Sequence, residues 1–343
     1  MTPNKSYRLV FIAISILLLV CFIANISSGS VLIPWLDTLS SLVGGSVEKE
    51  SWKSIIIEYR LPKAITAIIV GSGLGVSGLL MQTLFRNPLA GPFVLGISSG
   101  ASLGVALLIL GSSFVTGSTA VFLVSNWGLV AASSLGSIVV LILVMIVSSH
   151  VRDTMAILII GLMFGSITAA IVSVLSYFAP AEQLQRYVFW GFGSLGNLTW
   201  SDILIFSAIA IAGMLLALIA IKSLNTLLLG ENYARSLGLH LKKSRFLIII
   251  ATGLLAGSIT AFAGPIAFIG IAVPHLTRQL FHTSDHKILI PAVILLGSII
   301  MLICDTIAQL PGVEYTLPIN AITSLIGAPV VIWLLVRKRK MLF

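Results

Sequence analysis

Charge is scarce in this chain. Asp, Glu, Lys and Arg together make up 9% of its 343 residues, against 58% hydrophobic residues. A water-soluble domain covers its surface with about 25% charged residues, so a soluble globular fold is excluded. Cysteine is nearly absent: Cys21 and Cys304 both lie inside apolar runs and offer neither a metal spacing nor a disulfide framework. The five histidines form no H-E-x-x-H or comparable ligand set, so no metal site is expected. No G-x-x-x-x-G-K-[ST] occurs, so the chain does not itself bind ATP in a P-loop, and no cofactor is expected in it. Gly73-Leu74-Gly75-Val76-Ser77-Gly78 matches G-x-G-x-x-G, but it follows no strand and no acid stands about twenty positions later. A dinucleotide site there is not expected.

What is present is apolar sequence in long runs. Lipid demands helices or a closed barrel. Barrel strands would read as roughly ten-residue alternating segments, whereas these runs are continuous, so helices are expected. The net charge of +9 does not point to nucleic acid, because the basic residues sit in short clusters between apolar runs, where they orient a membrane protein. Lys5 and Arg8 precede the run Leu9–Ile26. That run is long for a signal core and no A-x-A site follows, so a retained first span is expected.

A span needs about 20 residues. From Asn87 to Ser149 there is no Asp, Glu, Lys or Arg, which is too long for one crossing and fits two, broken at the Gly/Ser/Thr-rich stretch 111–119. The same logic predicts ten spans: Leu9–Ser28, Pro62–Leu84, Phe93–Gly111, Ala120–Ser148, Met155–Phe178, Asp202–Lys222, Phe246–Ala263, Pro265–Phe281, Ile288–Leu310 and Leu317–Val336. Pro274, His275 and Arg278 interrupt the eighth; a re-entrant segment there would leave nine crossings. With ten, all of the 20 Lys and Arg residues except Lys49, Lys53, Arg60, Lys63 and Arg186 fall on the side of the termini. The positive-inside rule then places both termini in the cytoplasm.

The fold class expected is an all-α polytopic protein of the cytoplasmic (inner) membrane, one transmembrane domain over 1–343. Its parts are a first span and periplasmic loop (1–59), a first helical repeat (60–200), a cytoplasmic loop (223–245) and a second repeat (246–343). The repeat rests on an echo: Ala90-Gly91-Pro92 with Gly96-Ile97, and Ala263-Gly264-Pro265 with Gly270-Ile271, on opposite faces. An inverted repeat would produce this; so would chance likeness between short Gly/Pro turns. Small residues one helical turn apart, such as Gly71/Gly75, Gly100/Gly104 and Gly253/Gly257, suit close helix packing in lipid.

Asp305 is an acid inside a span, which is costly and often functional; it reads either as a structural group satisfied near the interface or as a coupling group. With little else ionisable at membrane depth, the energy for any transport is expected to come from another chain. The loop at 223–245 could receive it. Asn225–Leu239 reads as two short helical pieces hinged at Gly230, with Glu231 and Arg235 at i,i+4 spacing. Its apolar face suits either a cytoplasmic partner or the bilayer surface.

Here a family resemblance enters. Leu229-Gly230-Glu231-x-x-Ala234-x-x-Leu237-Gly238 resembles the coupling segment of bacterial permeases of the FecCD type, which carry iron-siderophores, haem or cobalamin. Arg60-Leu61-Pro62-Lys63, Gln82 with Arg86-Asn87-Pro88-Leu89-Ala90, Leu95-Gly96, Trp190 with Gly193-Ser194-Leu195 and Trp200, Gly264-Pro265-x-x-Phe268-x-Gly270, Pro274-His275-x-x-Arg278, Leu317-Pro318 and Gly327-Ala328-Pro329 extend it in order to the C-terminus. The resemblance implies an importer of ferric siderophore, or alternatively of haem or cobalamin, working by alternating access at a permease dimer interface. Its partners would be a second permease subunit, two ATPase subunits that use ATP and Mg, and a substrate-binding protein. ATPase coupling would fall to Leu229, Gly230, Glu231, Ala234, Arg235, Leu237 and Gly238. Docking of the binding protein would fall to Arg60 and Lys63, for which interfacial snorkelling is the other reading, and the cytoplasmic gate to Asp153, Thr154 and Met155. Three positions depart from the family pattern: Gln309 stands where a basic residue is common, and Thr316 and Asn320 where Glu and Gly are usual. A proton- or sodium-coupled carrier is the alternative from another class, and it would need intramembrane ionisable groups that are mostly missing.

Overall fold

The computed structural model describes residues 5–111, 125–151, 154–313 and 315–336. All the regular structure among them is helical, as the apolar runs require: in lipid, a helix satisfies every backbone N–H and C=O within one segment. Ten helices follow the ten predicted spans in order. They are α1 (Lys5–Ser27), α4 (Leu61–Leu84), α5 (Ile97–Ile109), α6 (Asn126–His150), α7 (Thr154–Phe178), α9 (Trp200–Ile219), α12 (Leu241–Ala263), α13 (Ile269–Phe281), α14 (His286–Ala308) and α15 (Ile319–Val336). Between them lie short helices at α2 (Trp35–Leu42), α3 (Glu50–Ser54), α8 (Ala181–Gly191), α10 (Ile221–Leu227) and α11 (Glu231–Ser236). Among the described residues, seven helical stretches are long and apolar enough to cross a membrane. The sequence Gly73–Gly78 lies wholly inside α4, with no strand before it.

Two predicted spans start later than expected, for a shared reason. The third and eighth begin at Ala-Gly-Pro turns, and the helix forms only after a residue with positive φ, Gly96 (φ 71°) or Phe268 (φ 65°). Each resulting helix, α5 and α13, has 13 residues, about 20 Å at 1.5 Å per residue.

The chain divides into two compact units. One comprises Met1–Val76, Ser194–Ala208 and Ile266–Leu342; the other comprises Ser77–Gly193 and Ile209–Pro265. In the first, α1 packs on α13 and α14 through Ile14, Phe281, Ala292 and Ile299, with the Phe11 and Phe281 rings 4.8 Å apart. There α4 lies so close to α14 that a Cβ on Gly71 would stand 2.2 Å from the Gly297 carbonyl oxygen. In the second, a Cβ on Gly136 of α6 would stand 2.0 Å from the Gly100 carbonyl of α5. Backbone-to-backbone packing of this kind is what small residues permit where no hydrophobic effect drives helices together.

α3 runs into α4 through a π-helical turn, Ile55–Arg60, making one helical stretch from Glu50 to Leu84. A wider turn frees backbone groups and re-aims the side chains that follow it. The Ile57 carbonyl takes a hydrogen bond from the Trp200 indole N–H at 3.2 Å.

Candidate functional site

The segment that resembles a coupling element is built by two glycines and one ion pair. α10 ends at Leu227, and Gly230 (φ 99°) turns the chain into α11. A left-handed backbone is open to glycine at little cost. α11 ends in the same way at Gly238 (φ 86°). The Leu239 N–H bonds the Ala234 carbonyl and the Gly238 N–H bonds the Arg235 carbonyl, both at 3.0 Å. These two bonds form a Schellman cap. Ala234 is fully buried, so the underside of α11 has no room for a larger residue. Leu229, Tyr233 and Leu237 remain exposed. Each fixed letter of the motif thus has a physical reason. The glycines set the bends, the alanine seats the helix, and the leucines form an open apolar face.

Glu231 anchors the element, though not to the residue that helical spacing suggests. Its carboxylate lies 2.7 Å from the Arg245 guanidinium on α12. Arg245 is buried, so this is a charge-assisted bond from the short helix into the next long one. Sequence reasoning misses Arg245 because it stands in the cluster Lys242-Lys243-Ser244-Arg245, where nothing marks one cation as buried. Beside the hinge is a second element. α4 ends in its own Schellman cap, with the Asn87 N–H on the Gln82 carbonyl at 3.1 Å and the Arg86 N–H on the Thr83 carbonyl at 3.3 Å. The left-handed position there is Arg86 (φ 47°), not glycine. Its guanidinium reaches to 3.5 Å from where a Gly230 Cβ would be, which brings the Arg86-Asn87-Pro88 turn against the hinge.

A second polar cluster lies in the other unit. Asp305, 1% exposed, accepts hydrogen bonds from Asn25 Nδ2 at 2.9 Å and Gln309 Nε2 at 2.7 Å, and pairs with Lys63 Nζ at 3.1 Å. This joins α1, α4 and α14. Removing one partner of a buried ion pair costs about 3–5 kcal/mol, since the other charge is left uncompensated. Arg60 is turned inward as well, at 9% exposed. Its guanidinium donates to the carbonyls of Ile26 at 2.8 Å and Ser27 at 2.9 Å, and also to that of Val31. A cation on the open carbonyls at the C-terminus of α1 satisfies orphan acceptors and the helix dipole together. The charges of Arg60 and Lys63 are therefore both engaged within the chain.

Comparison with known proteins decides the family. The model of the FecCD transport family matches residues 17–337. The chain belongs to that family. It is 34% identical to the hemin transport system permease protein HmuU of Yersinia pestis, over 83% of this chain and 84% of the relative. It is also 34% identical to the vitamin B12 import system permease protein BtuC of Klebsiella pneumoniae, over 98% and 96%. Among solved structures, a metal-chelate type ABC transporter in an inward-facing conformation superposes with a TM-score of 0.83 at 30% identity, covering 97% of this chain and 100% of that one. PsaBC from Streptococcus pneumoniae shares the fold alone, with a TM-score of 0.53 at 17% identity. This FecCD chain is accordingly a multi-pass protein of the cytoplasmic membrane.

Two of the three departures from the FecCD pattern have a visible role. Gln309 supplies the second amide to Asp305. Asn320 Oδ1 accepts from the Ala267 N–H at 3.1 Å, just before α13. Nothing in the structure explains Thr316. Of the expected gate residues, Asp153 lies outside the described residues, while Thr154 and Met155 open α7.

Proposed function

We propose that this chain is the permease subunit of an ATP-driven importer of an iron chelate, with α10 and α11 as the element that receives the ATPase. The observation that carries this reading is the Gly230 hinge held by the Glu231–Arg245 ion pair. It turns an exposed apolar face into a rigid lever on α12 instead of a loose loop. In this reading Leu229, Tyr233 and Leu237 fill a groove on the ATPase, while Gly230, Glu231, Ala234, Arg235 and Gly238 hold their geometry. ATP and Mg are used by that partner. A second permease subunit completes the pathway, and the gate residues Asp153, Thr154 and Met155 close it on the cytoplasmic side, where both termini lie. ATP binding shifts the pair between outward- and inward-facing states through the partners' differential affinity for them.

A substrate-binding protein delivers the chelate. Docking assigned to Arg60 and Lys63 is indirect in this reading: Arg60 shapes the surface through the carbonyls it binds, and Lys63 through its pairing with Asp305. The relatives named for hemin and vitamin B12 make those cargoes the alternative within the same class.

Two measurements separate the parts of the proposal. Uptake of labelled ferric siderophore, haem and cobalamin is compared in cells with and without the chain, and after ATP depletion. Chain-dependent, ATP-dependent siderophore uptake is expected; dependence confined to haem or cobalamin changes the cargo and keeps the class. Leu237→Asp, on the exposed face, is expected to abolish co-purification of the ATPase while the permease still inserts. Retained ATPase with full uptake would remove α11 from the coupling role.

A further inference from the structure

α2 is amphipathic in the reverse sense. Its inward positions are polar, with Thr38 at 0% and Ser41 at 2% exposed. Its outward positions are apolar, with Trp35 and Leu36 each at 59% exposed, and Val43, just past its end, is at 84%. Trp35, Leu36, Leu39 and Val43 fall at i, i+1, i+4 and i+8, one helical face, and Val31 and Leu32 extend it toward α1. A helix that puts hydroxyls inside and a Trp with three aliphatic residues outside would be unfavourable in water. Its surroundings must be apolar.

The helix is also fastened. Thr38 Oγ1 lies 3.0 Å from Ser27 Oγ at the end of α1, and also bonds the Pro34 carbonyl at 3.2 Å. Arg60 binds the Val31 carbonyl along with the last carbonyls of α1. α2 is thereby fastened to the end of α1, a helix that itself leaves Leu9, Ile12, Ile16, Leu19 and Val20 exposed. That helix is a membrane span only 17% buried within the chain. α2 carries one acid of its own, Asp37, and a few residues beyond its end the sequence changes to Glu48, Lys49 and Glu50, with the Lys49 ammonium 5.2 Å from the Trp52 ring. Apolar residues with a Trp, followed within a few residues by charge, mark the boundary between hydrocarbon and water.

We infer that α2 is an interfacial helix whose partner is the bilayer itself: it lies in the lipid headgroup–acyl boundary at the end of α1, seated about 5–10 Å deep. There it fixes the level of the Arg60 staple, and with it the π-helical turn that leads into α4, relative to the membrane. Attachment to the end of α1, a membrane span that is itself mostly exposed, favours lipid over a protein on this face. The inference does not depend on which cargo is carried.

The test uses the full chain in lipid nanodiscs, in a Cys21→Ala, Cys304→Ala background. Single cysteines at Leu36→Cys and Val43→Cys carry an environment-sensitive fluorophore, with Ser51→Cys on α3 as the water-exposed control. Nitroxide lipids labelled near the headgroup are expected to quench the Leu36 and Val43 probes at least about threefold more than the Ser51 probe, and aqueous iodide to do the reverse. Two variants guard against one of them failing to fold. Iodide quenching of the α2 probes equal to that of Ser51 would overturn the inference, because the face would then lie in water. Protection from both quenchers would overturn it as well, because the face would then be covered by protein.

Discussion

The entries to α5 and α13 are the same device built by two different means. Each starts with Ala-Gly-Pro, places one residue in the left-handed region a few positions on, and then runs a 13-residue helix; at α5 the stretch between is a 3-10 turn, Pro92–Leu95, and at α13 it is irregular. At α5 the left-handed residue is Gly96, and the helix beyond it presses glycine on glycine against α6. At α13 it is Phe268, whose conformation an L side chain seldom adopts. Neighbours hold it: Asn320 takes the Ala267 N–H, and Gly327 leaves the space into which the Phe268 side chain fits, a Cβ there falling 2.4 Å from that of Phe268. One entry is specified locally by a residue that tolerates the turn. The other is imposed by tertiary partners, the usual way backbone strain persists.

The largest effect is expected at the locally specified entry. Gly136→Leu would drive a side chain into the Gly100 backbone, where neither helix can yield. Loss of monodisperse protein on size-exclusion chromatography is the expected result, and normal recovery would show that α5 and α6 can separate. Next is Phe268→Ala, expected to lower stability by about 2 kcal/mol, less than a fully buried aromatic because Phe268 is half-buried. Phe268→Gly sharpens the comparison: it should be more stable than Phe268→Ala by about 1 kcal/mol and so melt higher, since glycine removes the left-handed cost. Equal melting of the two would mean the position is not strained. Gly96→Ala should cost about 1–2 kcal/mol, from that same conformation and a Cβ only 3.1 Å from the Gly161 carbonyl. Asn320→Gly, which restores the residue usual in the family, is the smallest at about 1 kcal/mol for one hydrogen bond. A thermal shift in detergent no different from the parent would show that Ala267 has another partner in its place.

Much of this was legible in the chain because lipid is a strict solvent. Long uncharged runs could only be helices, and ten helices follow ten predicted spans in order. The hinge at Gly230 was legible too, since a glycine between two amphipathic pieces has few other uses. The helix starts were not: proline and glycine marked the turns, but nothing local shows that Phe268 is held left-handed by Asn320 and Gly327. The partner of Glu231 is hidden from the sequence for a related reason. Spacing along one helix favours Arg235, whereas folding brings Arg245 from α12 to 2.7 Å. Arg60 reads as a surface cation from its place near the start of a span, and the three carbonyls that bind it lie 29 to 34 residues away.

The amino-acid sequence by itself determined the solvent, the helical class, the order of the spans and the family, because composition, periodicity and ordered motifs are properties of one strand of chain. The tertiary structure alone decided which charges are spent internally. Lys63 on Asp305, Arg60 on the end of α1 and Glu231 on Arg245 are each fixed by groups far apart in sequence, since in a medium of low dielectric an ionised side chain must find its partner wherever the fold brings one near.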